Sequence, residues 1–293
     1  GGFAGLFDIS AFKTMTKPLL ATSTDGVGTK IDVARRMDIH DTVGIDLVAM
    51  VVDDLVVCGA QPLFMTDYIA VGKVHPERVA AIVTGIAKGC EIAGCALVGG
   101  ETAEHPGLLG VDDYDIAGAG TGIVDAVNLL GPDRVVVGDV AIAIGSSGLH
   151  SNGFSLARHV AFNVASLDVH DHVSEFGRTL GEELLEPTKI YAKDILNLIS
   201  AIEVHSISHI TGGGIAANVA RVLPSDLALD LDRSTWTPQA IISWLQARGN
   251  ISQAEAEKTF NMGIGMLVFV PAPIAQLAIT SLQASGQSAW VCG

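Results

Sequence analysis

Acidic side chains beside glycine or a small residue recur where the chain reads as the end of a strand: Asp25 before Gly26, Asp67 after Thr66, and Glu101 after Gly99-Gly100. Carboxylate oxygens are hard donors that suit Mg2+, and glycines let backbone N–H groups come close to phosphates. The run Thr24-Asp25-Gly26-Val27-Gly28-Thr29-Lys30 offers both, with Lys30 as a cation. A glycine turn with a surface lysine is the plain alternative. On one helix Asp46 and Asp53 are seven residues apart, so at about 100° per residue they lie about 20° apart, with Asp54 about 80° from Asp46. Three carboxylates on so apolar a helix ask for a cation, against the alternative of an exposed acidic stripe. His150 sits in Ser146-Ser147-Gly148-Leu149-His150-Ser151-Asn152-Gly153, and His209 precedes Thr211-Gly212-Gly213-Gly214. Both are strand-to-helix loops, where helix N-termini hold anions and an imidazole can donate or move a proton; small-residue loops without a ligand are the alternative. His170-Asp171-His172 lies in a polar stretch without a third ligand and reads as a solvated loop. The cysteines Cys58, Cys90, Cys95 and Cys292 make no CxxC pair, and no neighbour in sequence points to a lowered pKa. They read as inert thiols of a reducing, cytoplasmic protein.

These residues need a scaffold of alternating elements. Residues 17–24 read as a strand entering the glycine loop, 41–59 as a helix with period 3.6, 62–70 as a strand, 76–94 as a helix with proline in its first turn, and 96–99 and 116–124 as strands. After a connector at 125–137, strands at 140–144, 204–207, 228–231 and 266–270 alternate with helices at 154–164, near 182, and at 191–201, 214–221, 238–248, 252–260 and 273–285. That predicts an α/β (α+β) protein of two domains, 1–130 for nucleotide, metal and dimerisation and 131–293 as an α/β domain. A length of 293 residues, 49% hydrophobic and 17% charged, suits folded domains rather than disorder. The net charge of −15 argues against a nucleic-acid or acidic-membrane partner. No GxxxxGK[ST] or GxGxxG occurs, which excludes the two commonest phosphate cradles. The longest run without charged or strongly polar side chains, 262–275, is short and broken by Pro271 and Pro273, so no membrane span is expected.

The runs TDGVGTK, HDTVGIDLVAM, DLVVCGAQPLF, LVGGETAEHPG, DYDIAG, SSGLHSNGFSLAR, EPTKIY, HITGGG and TFNMGIGM, in this order, resemble the phosphoribosylformylglycinamidine cyclo-ligase, or aminoimidazole ribonucleotide synthetase, family along essentially the whole chain. The resemblance implies a superfamily shared with formylglycinamidine synthase, selenophosphate synthetase and thiamine-monophosphate kinase. It also implies a homodimer whose N-terminal strands form a β-barrel spanning both subunits. The implied activity is ATP- and Mg2+-dependent cyclisation of formylglycinamidine ribonucleotide to aminoimidazole ribonucleotide, with release of ADP and phosphate, in purine biosynthesis. Carried over by motif, Asp25, Asp54 and Glu101 are the metal carboxylates, and Gly26, Gly28, Thr29, Lys30, Gly99 and Gly100 complete the nucleotide site. Lys30, His150 and His209 take catalytic roles, while Ser147, Ser151, Asn152, Thr211, Gly212 and Gly213 bind substrate. The chain departs from the family pattern with Asp53 for Asn, Cys58 for Gln and His105 for Met, of which Asp53 bears on metal binding. The resemblance also implies a preceding segment with a nucleotide-associated lysine, expected to order over bound ATP. A small-molecule kinase of the superfamily and a non-catalytic nucleotide-binding subunit are the competing readings.

Overall fold

Residues 3–293 are described by a computed structural model. They divide into two compact units: one runs to Leu129 and takes back Ile190–Lys193, and the other comprises Leu130–Lys189 and Asp194–Gly293.

In the first unit the order is β1 (Pro18–Gly26), α1 (Ile31–Met37), α2 (Thr42–Val56), β2 (Gln61–Val71), α3 (Pro76–Ala93), β3 (Ala96–Glu104) and β4 (Tyr114–Asp125). The strands lie in the order β1-β4-β2-β3, with β4 antiparallel to β1 and β2, and β2 parallel to β3. Helix α2 is apolar almost all round because it is covered on two sides. Toward the sheet, a Cβ on Gly120 would meet Val51 at 2.7 Å and Leu55 at 3.2 Å; toward α3, one on Gly85 would meet the Asp41 carbonyl oxygen at 1.8 Å. The helices can approach this closely only because Gly44 and Gly85 face each other. The opposite face of the sheet carries Leu20, Thr22, Thr24, Thr66 and Tyr68, all exposed. Among the described residues the sheet is open, with β1 and β3 as its edges, so the expected barrel is not closed within one chain.

The second unit follows as β5 (Asp139–Gly145), α4 (Phe154–Arg158), β6 (His172–Val173), β7 (Arg178–Thr179), α5 (Leu180–Leu184), α6 (Ala192–Ala201), β8 (Ser206–His209), α7 (Gly214–Val219), α8 (Ala240–Gly249), α9 (Gln253–Thr259), β9 (Ile264–Pro271), α10 (Ala275–Ala284) and β10 (Ala289–Val291). Its main sheet, β10-β5-β9-β8, is antiparallel throughout. Strand β9 is buried from Ile264 to Val270, which explains its unbroken apolar run. The helix expected at 154–164 forms as α4 followed by a π-helical turn, His159–Val164. The strand expected at 228–231 does not form. It finds no ladder partner, and Asp232 N–H to the Cys292 carbonyl (2.8 Å) is a single bond at its end.

The return of Ile190–Lys193 has a specific cause. Tyr191 is wholly buried, and its backbone N–H donates to both carboxylate oxygens of Asp53, at 3.0 and 3.2 Å. Asp53 is equally buried, so its carboxylate anchors the returning segment from within the first unit.

Candidate functional site

The β-ladder sets Asp25, Gly118, Asp67 and Gly100 in one row across four strands, so their side-chain positions share the face that α2 covers. At roughly 4.8 Å per strand, Asp25 and Asp67 are separated by about 10 Å across Gly118. Gly100 makes room for the second carboxylate, since a Cβ there would lie 2.4 Å from Asp67 Oδ1. Burial raises the Asp67 pKa, so a nearby cation would favour its ionised form. Asp67 is outside the expected ligand set; its signal was a lone acid at a position where β2 alternation calls for an apolar residue. Asp25 Oδ1 accepts the Gly26 N–H at 2.7 Å, and Gly28 has a positive φ of 68°, as the glycine loop requires.

The three expected metal carboxylates are dispersed in the single chain. Glu101 is laterally paired with Tyr68 and therefore belongs to the opposite, open face from Asp25. Asp54 is exposed near the end of α2, where its neighbour Leu55 packs with Ala60 and Val124. Val124 pairs with Leu19, at the far end of β1 from Asp25. Among the described residues no group of three or more His, Cys, Asp or Glu is placed to hold a metal ion. The donor chemistry still suits Mg2+, which commonly takes one or two carboxylates and completes its shell with phosphates and water.

Lys30 requires a correction. It is fully buried rather than at the surface, and its Nζ donates to Asp46 Oδ1 at 2.9 Å, an internal ion pair. The cation that the α2 carboxylates called for is thus supplied, for Asp46, by the chain itself. His105, on the open face, meets the Tyr68 hydroxyl through Nε2 at 3.0 Å.

In the second unit two loops meet. A Cβ on Gly212 would lie 3.4 Å from Asn152 Oδ1, which places the 211–214 turn against the 146–153 loop. Each loop is shaped from below by an amide that sequence reading passed over. Asn218 Nδ2 reaches the carbonyls of Gly214, Gly212 and Thr211 at 2.8, 3.2 and 3.3 Å. Asn261, in the FNMG run, donates to the Gly148 carbonyl at 2.8 Å and accepts the Gly263 N–H at 2.9 Å. Ser147 Oγ donates to the Pro187 carbonyl at 2.6 Å, and Ser151 and Thr188 share a hydroxyl bond of 2.9 Å.

Both histidines lie inside this framework, His150 at 2% and His209 at 6% exposure. His150 adopts φ 61°, and its Nε2 accepts the Ser147 N–H at 3.2 Å, which puts the proton of a neutral ring on Nδ1. His209 stands on β8 opposite Met266. The groups turned toward solvent are Gly212 and Gly213, with Ser151, Asn152 and Thr211 partly so. The arrangement offers hydroxyls, an amide and unobstructed backbone to a polar ligand, with the rings as supports beneath.

Two family models match: "AIR synthase related protein, N-terminal domain" over residues 7–124 and "AIR synthase related protein, C-terminal domain" over residues 136–293. The phosphoribosylformylglycinamidine cyclo-ligases of Brevibacillus brevis and Trichlorobacter lovleyi are 48% and 47% identical to the chain, each match covering 100% of this chain and 84% of the relative. Among solved structures, E. coli HypE, a hydrogenase maturation protein, aligns with a TM-score of 0.70 at 18% identity, over 100% of this chain and 84% of that one. A hydrogenase maturation protein HypE in complex with ATP aligns at 0.61 and 15% identity, over 99% and 79%. With both units matched and nearly half of all residues shared with named enzymes, the chain belongs to the AIR synthase related family, among the phosphoribosylformylglycinamidine cyclo-ligases.

Proposed function

We infer that this protein is the ATP-dependent cyclo-ligase that converts formylglycinamidine ribonucleotide to aminoimidazole ribonucleotide in purine biosynthesis. The observation that carries the reading is the identity with cyclo-ligases over the whole chain, which takes in the β1 glycine loop of the first unit and both polar loops of the second. An amide oxygen is a poor leaving group. ATP phosphorylates the formyl oxygen, the amidine nitrogen attacks the carbon so activated, and phosphate departs with that oxygen. The protein's share is alignment and charge neutralisation.

In this reading the nucleotide is held by the first unit, with the backbone of Gly26, Gly28, Thr29, Gly99 and Gly100 along the phosphates. Mg2+ held by Asp25 and Asp67 would offset the phosphate charge, and Asp54 and Glu101, which one chain does not bring to that site, would join it as oxygen donors from the second copy. Asn152, Ser151, Thr211, Gly212 and Gly213 take the substrate's polar groups and sugar phosphate. His150 orients the 146–153 loop through Ser147, and His209 supports the 211–214 turn. Two copies pair through the exposed face that carries Leu20, Thr22 and Tyr68, which gives the homodimer and its shared barrel. Cytoplasmic location is part of the same proposal; no described helix is long and apolar enough to cross a membrane.

The test is phosphate release from ATP with formylglycinamidine ribonucleotide, thiamine monophosphate or selenide as second substrate. Turnover with the ribonucleotide and formation of the aminoimidazole product are expected. Turnover only with thiamine monophosphate would establish a kinase, and none with any would leave a nucleotide-binding subunit.

A further inference from the structure

Helix α3 ends on Gly94 in the left-handed conformation, φ 78°, with Gly94 N–H and Cys95 N–H both donating to the Cys90 carbonyl at 2.8 and 3.0 Å. A six-to-one closure of this kind turns the chain back on itself and brings the side chains at its two ends together. Here both ends are cysteines, so the closure sets the Cys90 and Cys95 side chains beside each other. Cys90 is buried at 3% exposure, whereas Cys95 is only half-buried.

A cation completes the setting from 98 residues further along the chain. Lys193 belongs to the returning segment: its Nζ donates to the Glu91 carbonyl at 2.8 Å, and its Cε lies 2.9 Å from where a Cβ on Gly94 would be. The ammonium therefore crosses the turn that carries Cys95. No neighbour in sequence signals Lys193 beside this turn. The neighbouring Cys90 thiol, and to a lesser degree a backbone hydrogen bond and the Lys193 charge, lower the Cys95 pKa against the opposing effect of burial. Burial raises those of Cys58 and Cys292, the latter to about 12. Thiolate character and access decide which cysteine reacts with oxidants.

We propose that Cys95 and Cys90 form a reversible oxidation site for hydroperoxides, with Cys95 as the attacking thiolate and Cys90 as the resolving thiol. The Cys95 thiolate attacks the peroxide's terminal oxygen and breaks the O–O bond, leaving Cys95 as sulfenic acid and releasing the alkoxide or hydroxide. The Cys90 sulfur then attacks the Cys95 sulfur and closes the disulfide; the sulfenic hydroxyl leaves as water with the Cys90 proton. Both sulfurs are oxidised by one unit each, and the peroxide takes up the two electrons. The closed ring is short and lies where α3 hands over to β3, the strand bearing Gly99, Gly100 and Glu101.

The experiment treats the intact protein with hydrogen peroxide, alkylates the remaining thiols and reads the tryptic peptide 89–134, which holds Cys90 and Cys95 and no other cysteine. The expected result is that this peptide loses two hydrogens and escapes alkylation, while Cys58 and Cys292 stay reduced. Dithiothreitol should restore both thiols. In Cys90→Ser, Cys95 should progress to the sulfinic acid, and in Lys193→Met the oxidation of Cys95 should slow severalfold. Sulfinic acid at Cys95 in the wild-type protein with Cys90 still alkylated would overturn the pairing, as would oxidation of Cys58 or Cys292 ahead of Cys95. The wild-type readout decides the matter even if a variant folds poorly.

Discussion

Lys30 and Asp46 illustrate how one buried charge constrains another. Removing one partner of such a pair leaves the other uncompensated, at a cost of about 3–5 kcal/mol. Lys30→Met should therefore lower the denaturation midpoint strongly, and adding Asp46→Leu should recover part of the loss; a double variant less stable than the single one would deny the coupling. The adjacent acids on α2 separate in the same way. Asp53 accepts the Tyr191 N–H from inside the core, so Asp53→Ala should cost about 1–3 kcal/mol for the buried donor left without its acceptor. Exposed Asp54 should instead tolerate Asn with no change in melting temperature, while Mg2+–ATP affinity falls at least about tenfold in calorimetry, as expected for a lost ligand oxygen. Unchanged affinity would remove Asp54 from the ligand set. Sequence spacing put Asp46, Asp53 and Asp54 close together on one helix, but their roles depend on Lys30 and Tyr191, which only the fold brings to them.

At the scale of elements, local pattern predicted most of what forms. The 3.6 period of α2, the proline that opens α3 and the β-branched runs of β1 and β2 reflect burial that each segment meets wherever it packs. Failures came where an element depends on a distant partner. The 228–231 segment has strand composition but no neighbouring edge, and the glycines at 44 and 85 are legible as a helix crossing only once α2 and α3 are seen to touch. Gly85→Ala would drive a methyl into the Asp41 carbonyl, and overpacking of this kind costs about 1–3 kcal/mol. Thermal unfolding should show a clear loss, and a wild-type midpoint would mean that the helices can separate freely. The open face of the first sheet makes a different prediction. Leu20 is 71% exposed there, so Leu20→Asp should leave the fold intact. In sedimentation, however, it should convert a wild-type dimer to monomer. A wild-type monomer would dismiss the shared barrel.

For the molecule as a whole, stability should carry an imprint of two histidines with opposite signs. Burial works against a charged His205, but the hydrogen bonds and charges of Asp139 and Glu203 outweigh it and raise its pKa. Its contribution is therefore full below about pH 6.5, the unfolded value, and is lost as pH climbs through the raised folded value. His40 is shifted down, by burial first, so its contribution is present above about pH 6.5 and fades as pH falls through its lowered folded value. His205→Gln should accordingly lower the melting temperature more at about pH 6 than at about pH 8. Equal losses at both would contradict the raised value.

The passage of Ile190–Lys193 through the first unit also bears on how such a protein can be inherited. Two contiguous domains could be exchanged between genes as cassettes, each cut once. Here a cut at Leu129 would yield a fragment whose core lacks Tyr191, with the Asp53 carboxylate facing an empty slot. Such a fragment should be recovered soluble only when a peptide spanning 190–193 is supplied in trans or tethered to its end. An exchange of halves at that single cut would therefore be expected to cost the first unit its stability.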